Sequence, residues 1–170
     1  MSKSQHIMEQ VVIPNYSLFK NNPDITAFAR KHPKLFSATH GVELAMAEVG
    51  GYKFIDASHC DFDDGSECKT ASVLKETSGT SKNVYACIIT NVATASGNLK
   101  TGALRVCVYN PHLSNVTFYF IPNDQIERLM THSKGRDGRI LSTWNKLTGT
   151  NNKLDPYKVA DFETLAKMKA

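Results

Sequence analysis

"DFDDGSECKTASV", residues 61–73, gathers Asp61, Asp63, Asp64 and Glu67 within seven residues and sets Lys69 two positions after the last. Its reading decides the fold. Asp63-Asp64-Gly65 has the makings of a tight loop, with Gly65 free to take φ > 0 and the two aspartates acting as turn residues. The stretches on either side, "YKFIDASHCDF" and "SECKTASVL", are read as strands, giving a hairpin over residues 52–74. Phe62 then faces Ser66, and Asp61 faces Glu67. Directly opposed residues on one face have Cβ atoms only about 4.5–5.5 Å apart, so two carboxylates there repel. A divalent cation would remove that cost, because two carboxylates and a backbone carbonyl offer the hard oxygens Mg²⁺ prefers. With a period of two, Lys69 shares the face of Glu67. A cation and an ammonium group held together suit the activation of water and the neutralisation of phosphate charge.

Working outward, "THGVELAMAEVGG" just upstream predicts a short helix capped by Thr39 and stopped by Gly50-Gly51. Its apolar face is Val42, Met46 and Val49. An earlier helix is predicted after Pro23, through Ile25, Phe28 and Ala29. Downstream, "VYACIITNV", "ALRVCVYNP" and "VTFYFIP" read as strands separated by polar loops. Pro122 opens a helix through "NDQIERLM", and "DFETLAKMK" closes the chain as another. Two helices, then about five strands, then helices predict an α/β or α+β domain with a central mixed sheet flanked by helices. No linker divides the chain, so residues 1–170 are read as one domain.

The composition excludes several classes. No apolar run approaches the roughly 18–20 residues of a membrane-spanning helix, and the first residues lack the apolar stretch of a signal peptide, which implies a cytoplasmic protein. Cys60, Cys68, Cys87 and Cys107 form no CxxC pair and lie in apolar or alternating segments, the pattern of reduced cysteines packed as small hydrophobes. The net charge of +4 is unevenly spread. Residues 56–67 carry Asp56, Asp61, Asp63, Asp64 and Glu67 with no Lys or Arg, whereas residues 132–153 carry Lys134, Arg136, Arg139, Lys146 and Lys153 against Asp137. A polyanion would be drawn to the basic stretch, and the acidic turn would need a metal to tolerate its phosphates.

Asp61, Glu67, Cys68 and Lys69, preceded by a short helix bearing Glu43, resemble the PD-(D/E)xK nuclease superfamily, and most of all its compact type II restriction endonucleases. The likeness covers residues 40–75 and lacks the proline of the motif's name. It implies a restriction-endonuclease-like sheet, with Asp61, Glu67 and the Cys68 carbonyl as ligands of Mg²⁺, or of Mn²⁺ in its place. Lys69 would orient or deprotonate the attacking water, leaving 5′-phosphate and 3′-hydroxyl ends. Asp56 is the rival first ligand; it lies nominally on the other strand face and could reach the metal only through a bulge or a different register. Members of the superfamily often present a helix glutamate to the metal, which makes Glu43 a further candidate.

Substrate contacts are expected from polar and basic segments. These are the loops bearing Lys82 and Lys100 and the basic segment over residues 132–158, with Lys134, Arg136, Arg139 and Lys146. Trp144 reads as a packing anchor. The resulting expectation is a Mg²⁺-dependent endonuclease acting on double-stranded DNA, by analogy as a homodimer. A junction or repair nuclease is the variant of that reading. A nucleic-acid-binding or regulatory module that keeps the fold without cleaving is the alternative of a different class.

Overall fold

A computed structural model of the chain describes residues 41–57, 59–72, 84–93, 102–110, 115–130, 138–145, 148–151 and 153–170. The elements are α1 (Gly41–Gly50), β1 (Glu67–Ser72), β2 (Val84–Ile89), β3 (Leu104–Asn110), β4 (Asn115–Ile121), α2 (Asn123–Leu129), β5 (Ile140–Asn145), β6 (Lys158–Val159) and α3 (Phe162–Lys167). The mixed α+β class is as predicted. The strands, however, form two sheets rather than one: four strands in the order β1-β3-β4-β6, and a separate antiparallel pair of β2 with β5. In the first sheet β1 runs parallel to β3, and the remaining pairs are antiparallel.

β3 explains this arrangement. Its segment "ALRVCV" is buried without a break from Ala103 to Val108, as a strand covered on both faces must be. Leu104, Val106 and Val108 meet Tyr119, Ile121, Ile126, Ile140 and Trp144 on the side of β2, β5 and α2. Ala103 and Cys107 meet Val42, Met46, Phe118, Phe162 and Leu165 on the side of α1 and α3. α1 ends as its glycines suggest: Gly51 takes φ +78 and donates its N–H to the Ala47 carbonyl at 2.9 Å. Its predicted face of Val42, Met46 and Val49 is buried. Asp161 caps α3 by accepting the Thr164 N–H at 2.7 Å.

Two expectations are corrected. Among the described residues, the segment before the acidic turn and the strand after it form no two-stranded ladder. The segment folds back on itself instead, with Phe54 bridging Phe62, while β1 takes all six of its register partners from β3, Glu67 opposite Leu104 through Ser72 opposite Tyr109. β1 thereby gains a long neighbour buried from Leu104 to Val108, which the half-polar upstream segment could not supply. The second concerns the basic stretch, where no strand was predicted and which contains β5. Its "ILSTWN" alternates buried Ile140, Ser142 and Trp144 with more exposed residues, a strand period overshadowed in the sequence by the surrounding charges. Trp144 is buried against Tyr119 at 6.2 Å between ring centroids, and its indole N–H donates to the Gly149 carbonyl at 2.8 Å, the packing role expected of it.

The helix predicted after Pro23, the Thr39 cap, Lys82, Lys100, Lys134, Arg136 and Lys146 lie outside the described residues. No helix among the described residues is long and apolar enough to cross a membrane. All four cysteines are buried and free.

Candidate functional site

The acidic turn is built from Phe62 outward. Phe62 is fully buried, tilted against Tyr52 at 4.8 Å and edge-on to Phe54 at 6.4 Å. Sinking that ring, a contribution of about 1.5–3 kcal/mol, anchors the middle of an otherwise charged segment. Gly65 takes φ +85, as a tight turn requires, and stands so close to Gly102 that a Cβ on the latter would overlap the Gly65 carbonyl. Both N–H groups of Asp61 and Phe62 donate to the Ser66 carbonyl at 3.1 Å. The chain is thus pulled tight between residue 61 and the start of β1.

This geometry separates the carboxylates into two groups. Asp63 and Asp64 serve the backbone. Asp63 Oδ1 accepts the Lys53 N–H at 2.9 Å, and Asp64 Oδ1 accepts the Ser66 N–H at 2.9 Å and the Ser66 hydroxyl at 2.5 Å. Asp64 Oδ2 also pairs with Arg105, a fully buried guanidinium near the start of β3, at 2.8 Å. Burial would raise the Asp64 carboxyl, but the hydrogen bonds from Ser66 and Arg105 outweigh it and hold the group below its ordinary value.

Asp61 and Glu67 form the other group, on the outer edge of β1. The Glu67 N–H donates towards β3, to the Ala103 carbonyl at 2.9 Å. The next N–H, that of Cys68, points the opposite way and donates to Asp61 Oδ2 at 2.8 Å. The N–H and C=O of one strand residue project to the same side, so the Cys68 carbonyl also lies on this outer edge. Lys69 Nζ stands 2.5 Å from Glu67 Oε1, with both side chains largely shielded from water at 15% and 6% exposure. The expectation that a two-residue spacing puts Glu67 and Lys69 on one face therefore holds. Asp61 reaches them by a route other than the predicted ladder. Burial raises its carboxyl above the ordinary value, opposed by the Cys68 hydrogen bond, and repulsion from Glu67 adds to the rise while the nearby Lys69 lowers it.

The backbone of Asp56, the rival first ligand, turns back onto Asp61. Ile55 and Asp56 both donate their N–H groups to the one Asp61 carbonyl, at 2.7 and 3.2 Å, and Asp56 adopts φ +47. Its charge is felt at Asp61. Glu43 is not brought to the same group. Cys68 and Cys107 project into the α1–α3 core, where burial pushes both thiols up and Glu43 adds to the effect. Glu67 and Lys69 alternate with Cys68 along β1 and so project from the opposite face. Arg139 is half-buried at the start of β5, remote in sequence from the turn.

The donor set can be tested against a Mg²⁺ ion. Among the described residues no three His, Cys, Asp or Glu side chains gather closely enough to hold a metal by themselves. What the edge of β1 offers is two carboxylates and a backbone carbonyl, all hard oxygens, with Asp61 Oδ1 accepting nothing from the described residues. Mg²⁺ commonly keeps several waters and takes only one or two carboxylates, so this set fits it. A groove of about 590 Å³ over β2 and β5, lined by Ala86, Ile88, Leu141, Thr143 and Lys153, has no carboxylate among its described lining residues.

The turn role expected of Asp64 is what its bond to the Ser66 N–H shows, but sequence reading missed Arg105, Ser66 and the ion pair between Asp64 and Arg105. A signal was present: an arginine flanked by "AL" and "VCV" in a strand buried on both faces demands a carboxylate partner. No protein-family model matches the chain, and no curated protein sequence is recognisably similar to it.

Proposed function

We propose that this chain is a Mg²⁺-dependent DNA endonuclease, restriction-like in type, that hydrolyses phosphodiester bonds to 5′-phosphate and 3′-hydroxyl ends. The observation that carries the reading is the meeting of Asp61, Glu67 and Lys69 at one edge of β1, with Lys69 Nζ 2.5 Å from Glu67 and Asp61 fastened to the Cys68 N–H. Asp61, Glu67 and the Cys68 carbonyl would hold the cation. The chemistry a Mg²⁺ ion supplies when bound is neutralisation of the phosphate and a lowered pKa for a water.

The chain's own residues do the rest. Glu67 keeps the Lys69 ammonium extended beside the carboxylates, where its donors can orient a water in line with the scissile P–O3′ bond. The same positive charge offsets the charge that develops on the phosphoryl oxygens. The low exposure of both side chains limits competing solvent and strengthens these interactions. DNA would be drawn by the basic residues of the segment over 132–158, and two copies related by a two-fold axis would cut the two strands.

A second reading has its own observation. Glu67 and Lys69 already neutralise one another, so the edge of β1 can stand without a cation, as a non-cleaving nucleic-acid-binding module would require. Incubating plasmid and genomic DNA with wild-type and Glu67→Ala protein, in Mg²⁺ or in EDTA, separates the two. Products that need both Mg²⁺ and Glu67 support the nuclease. DNA binding with no cleavage of duplex, nicked, branched or single-stranded substrates sinks it in favour of the binding module.

A further inference from the structure

Arg105 lies 0% exposed, and its donors are spent on two separate parts of the chain, the acidic turn and the end of α3. Nε donates to Ser66 Oγ at 3.0 Å, Nη2 to Asp64 Oδ2 at 2.8 Å, and Nη1 and Nη2 to the carbonyls of Leu165 and Met168 at 2.6 and 2.7 Å. Its guanidinium is also stacked over Tyr52 and Phe120, at 4.8 and 5.3 Å from the ring centroids. A cation this deep inside a strand needs the carboxylate of Asp64, but not a specific relation to Ser66. Ser66 is where the network meets the edge of β1. Its carbonyl receives the N–H groups of Asp61 and Phe62, its own N–H and hydroxyl are held by Asp64, and Glu67 is the next residue.

We propose that Arg105 is a positioning residue for the Asp61–Glu67–Lys69 group, acting through Asp64 and Ser66. This deepens the nuclease reading and rests on it for its functional meaning. The guanidinium fixes Asp64 and the Ser66 hydroxyl; together they fix the Ser66 carbonyl, and that carbonyl sets the distance from Asp61 to β1. The hydrogen bond from the Cys68 N–H to Asp61 Oδ2 is the far end of the chain of contacts. The planar fork of arginine meets Asp64, Ser66 and two helix-end carbonyls at once. The ammonium of lysine has three donors on one atom and cannot span them. Because Leu165 and Met168 belong to α3 and its C-terminal cap, the end of the chain and the edge of β1 are tied to the same side chain.

The test is amide hydrogen exchange by NMR on the full-length chain, comparing wild type with Asp64→Asn and Arg105→Lys. An asparagine at 64 must offer its NH₂ either to Arg105 or to the Ser66 donors, so one side of the link is lost with little change in shape. Positioning predicts that exchange at the Cys68 and Asp61 amides speeds up at least about ten-fold relative to the amides of β4. Unchanged exchange at Cys68 overturns the proposal. So does an even acceleration across every amide, because Arg105 would then only hold the fold together. Should Arg105→Lys fail to fold, the milder Asp64→Asn decides by the same comparison. A parallel titration of the wild type with Mn²⁺ keeps the two readings apart: no binding there defeats the metal assignment, while the amide pattern still judges Arg105.

Discussion

Asp61 and Asp64 are three residues apart in one turn, yet the protein treats them in opposite ways. Asp64 meets a buried guanidinium and two donors of Ser66, and its ionised form is favoured. Asp61 receives a single N–H among the described residues, is desolvated, and is repelled by Glu67, so its ionised form is disfavoured. Local charge density therefore does not say what a carboxylate is for. The difference lies in whether the fold brings a full set of donors to it, and a carboxylate left short of donors in a shielded place has capacity to spare for a ligand.

The comparison can be broken most sharply at Lys69 and Glu67. On the nuclease reading, Lys69→Ala or Glu67→Gln should reduce Mg²⁺-dependent cleavage by about 10²–10⁴-fold, measured as initial rates on plasmid DNA with duplex binding followed in parallel. Retention of full activity by Lys69→Ala would remove the site from this edge of β1. The Asp64 side should respond in stability. Replacing Arg105 with Met strands the Asp64 carboxylate and the Leu165 and Met168 carbonyls, and should cost about 3–5 kcal/mol in urea unfolding.

The two aspartates should also answer oppositely to pH. The Asp61 carboxyl is raised in the folded protein, so its contribution to stability is complete below the usual carboxylate range and is lost as pH rises through its folded value. Asp64 is lowered, so its contribution is present above that range and is lost as pH falls through its folded value. Relative to wild type, Asp61→Asn should therefore gain stability as pH rises from 4 to neutrality, about where carboxylates ionise, whereas Asp64→Asn should be the less stable protein at neutrality and lose that deficit on the acid side. Denaturant midpoints across that interval check both signs. Parallel pH profiles for the two variants would erase the distinction. Smallest of all, Asp161→Ala removes the N-cap of α3, which touches neither aspartate directly, and should cost about 1 kcal/mol without touching cleavage, which calibrates the others.

What was legible in the sequence follows from the range of the interactions. Helix ends were readable because Gly51, Pro122 and Asp161 act within a few residues of themselves, and the face shared by Glu67 and Lys69 needs only the period of a strand. The partner of β1 was not readable. A parallel neighbour more than thirty residues away leaves no local mark, and the nearer segment over 52–62 imitates a hairpin arm. Arg105 was visible as an oddity but not as a link, since its four partners come from residues 64, 66, 165 and 168. The backbone of Asp56 turns back onto Asp61 because two N–H groups converge on one carbonyl, an arrangement that no residue type announces.

Trp144, the chain's one tryptophan, has a consequence of its own. Its indole is shielded in the second sheet and leans on Tyr119 of the first, so ultraviolet emission from this protein is a gauge of how the two sheets sit together. The acidic turn is packed against the opposite helices and is optically silent in that channel. A substitution in the turn that leaves the emission maximum in place has altered chemistry or local geometry. One that shifts it to the red has opened the seam between the sheets.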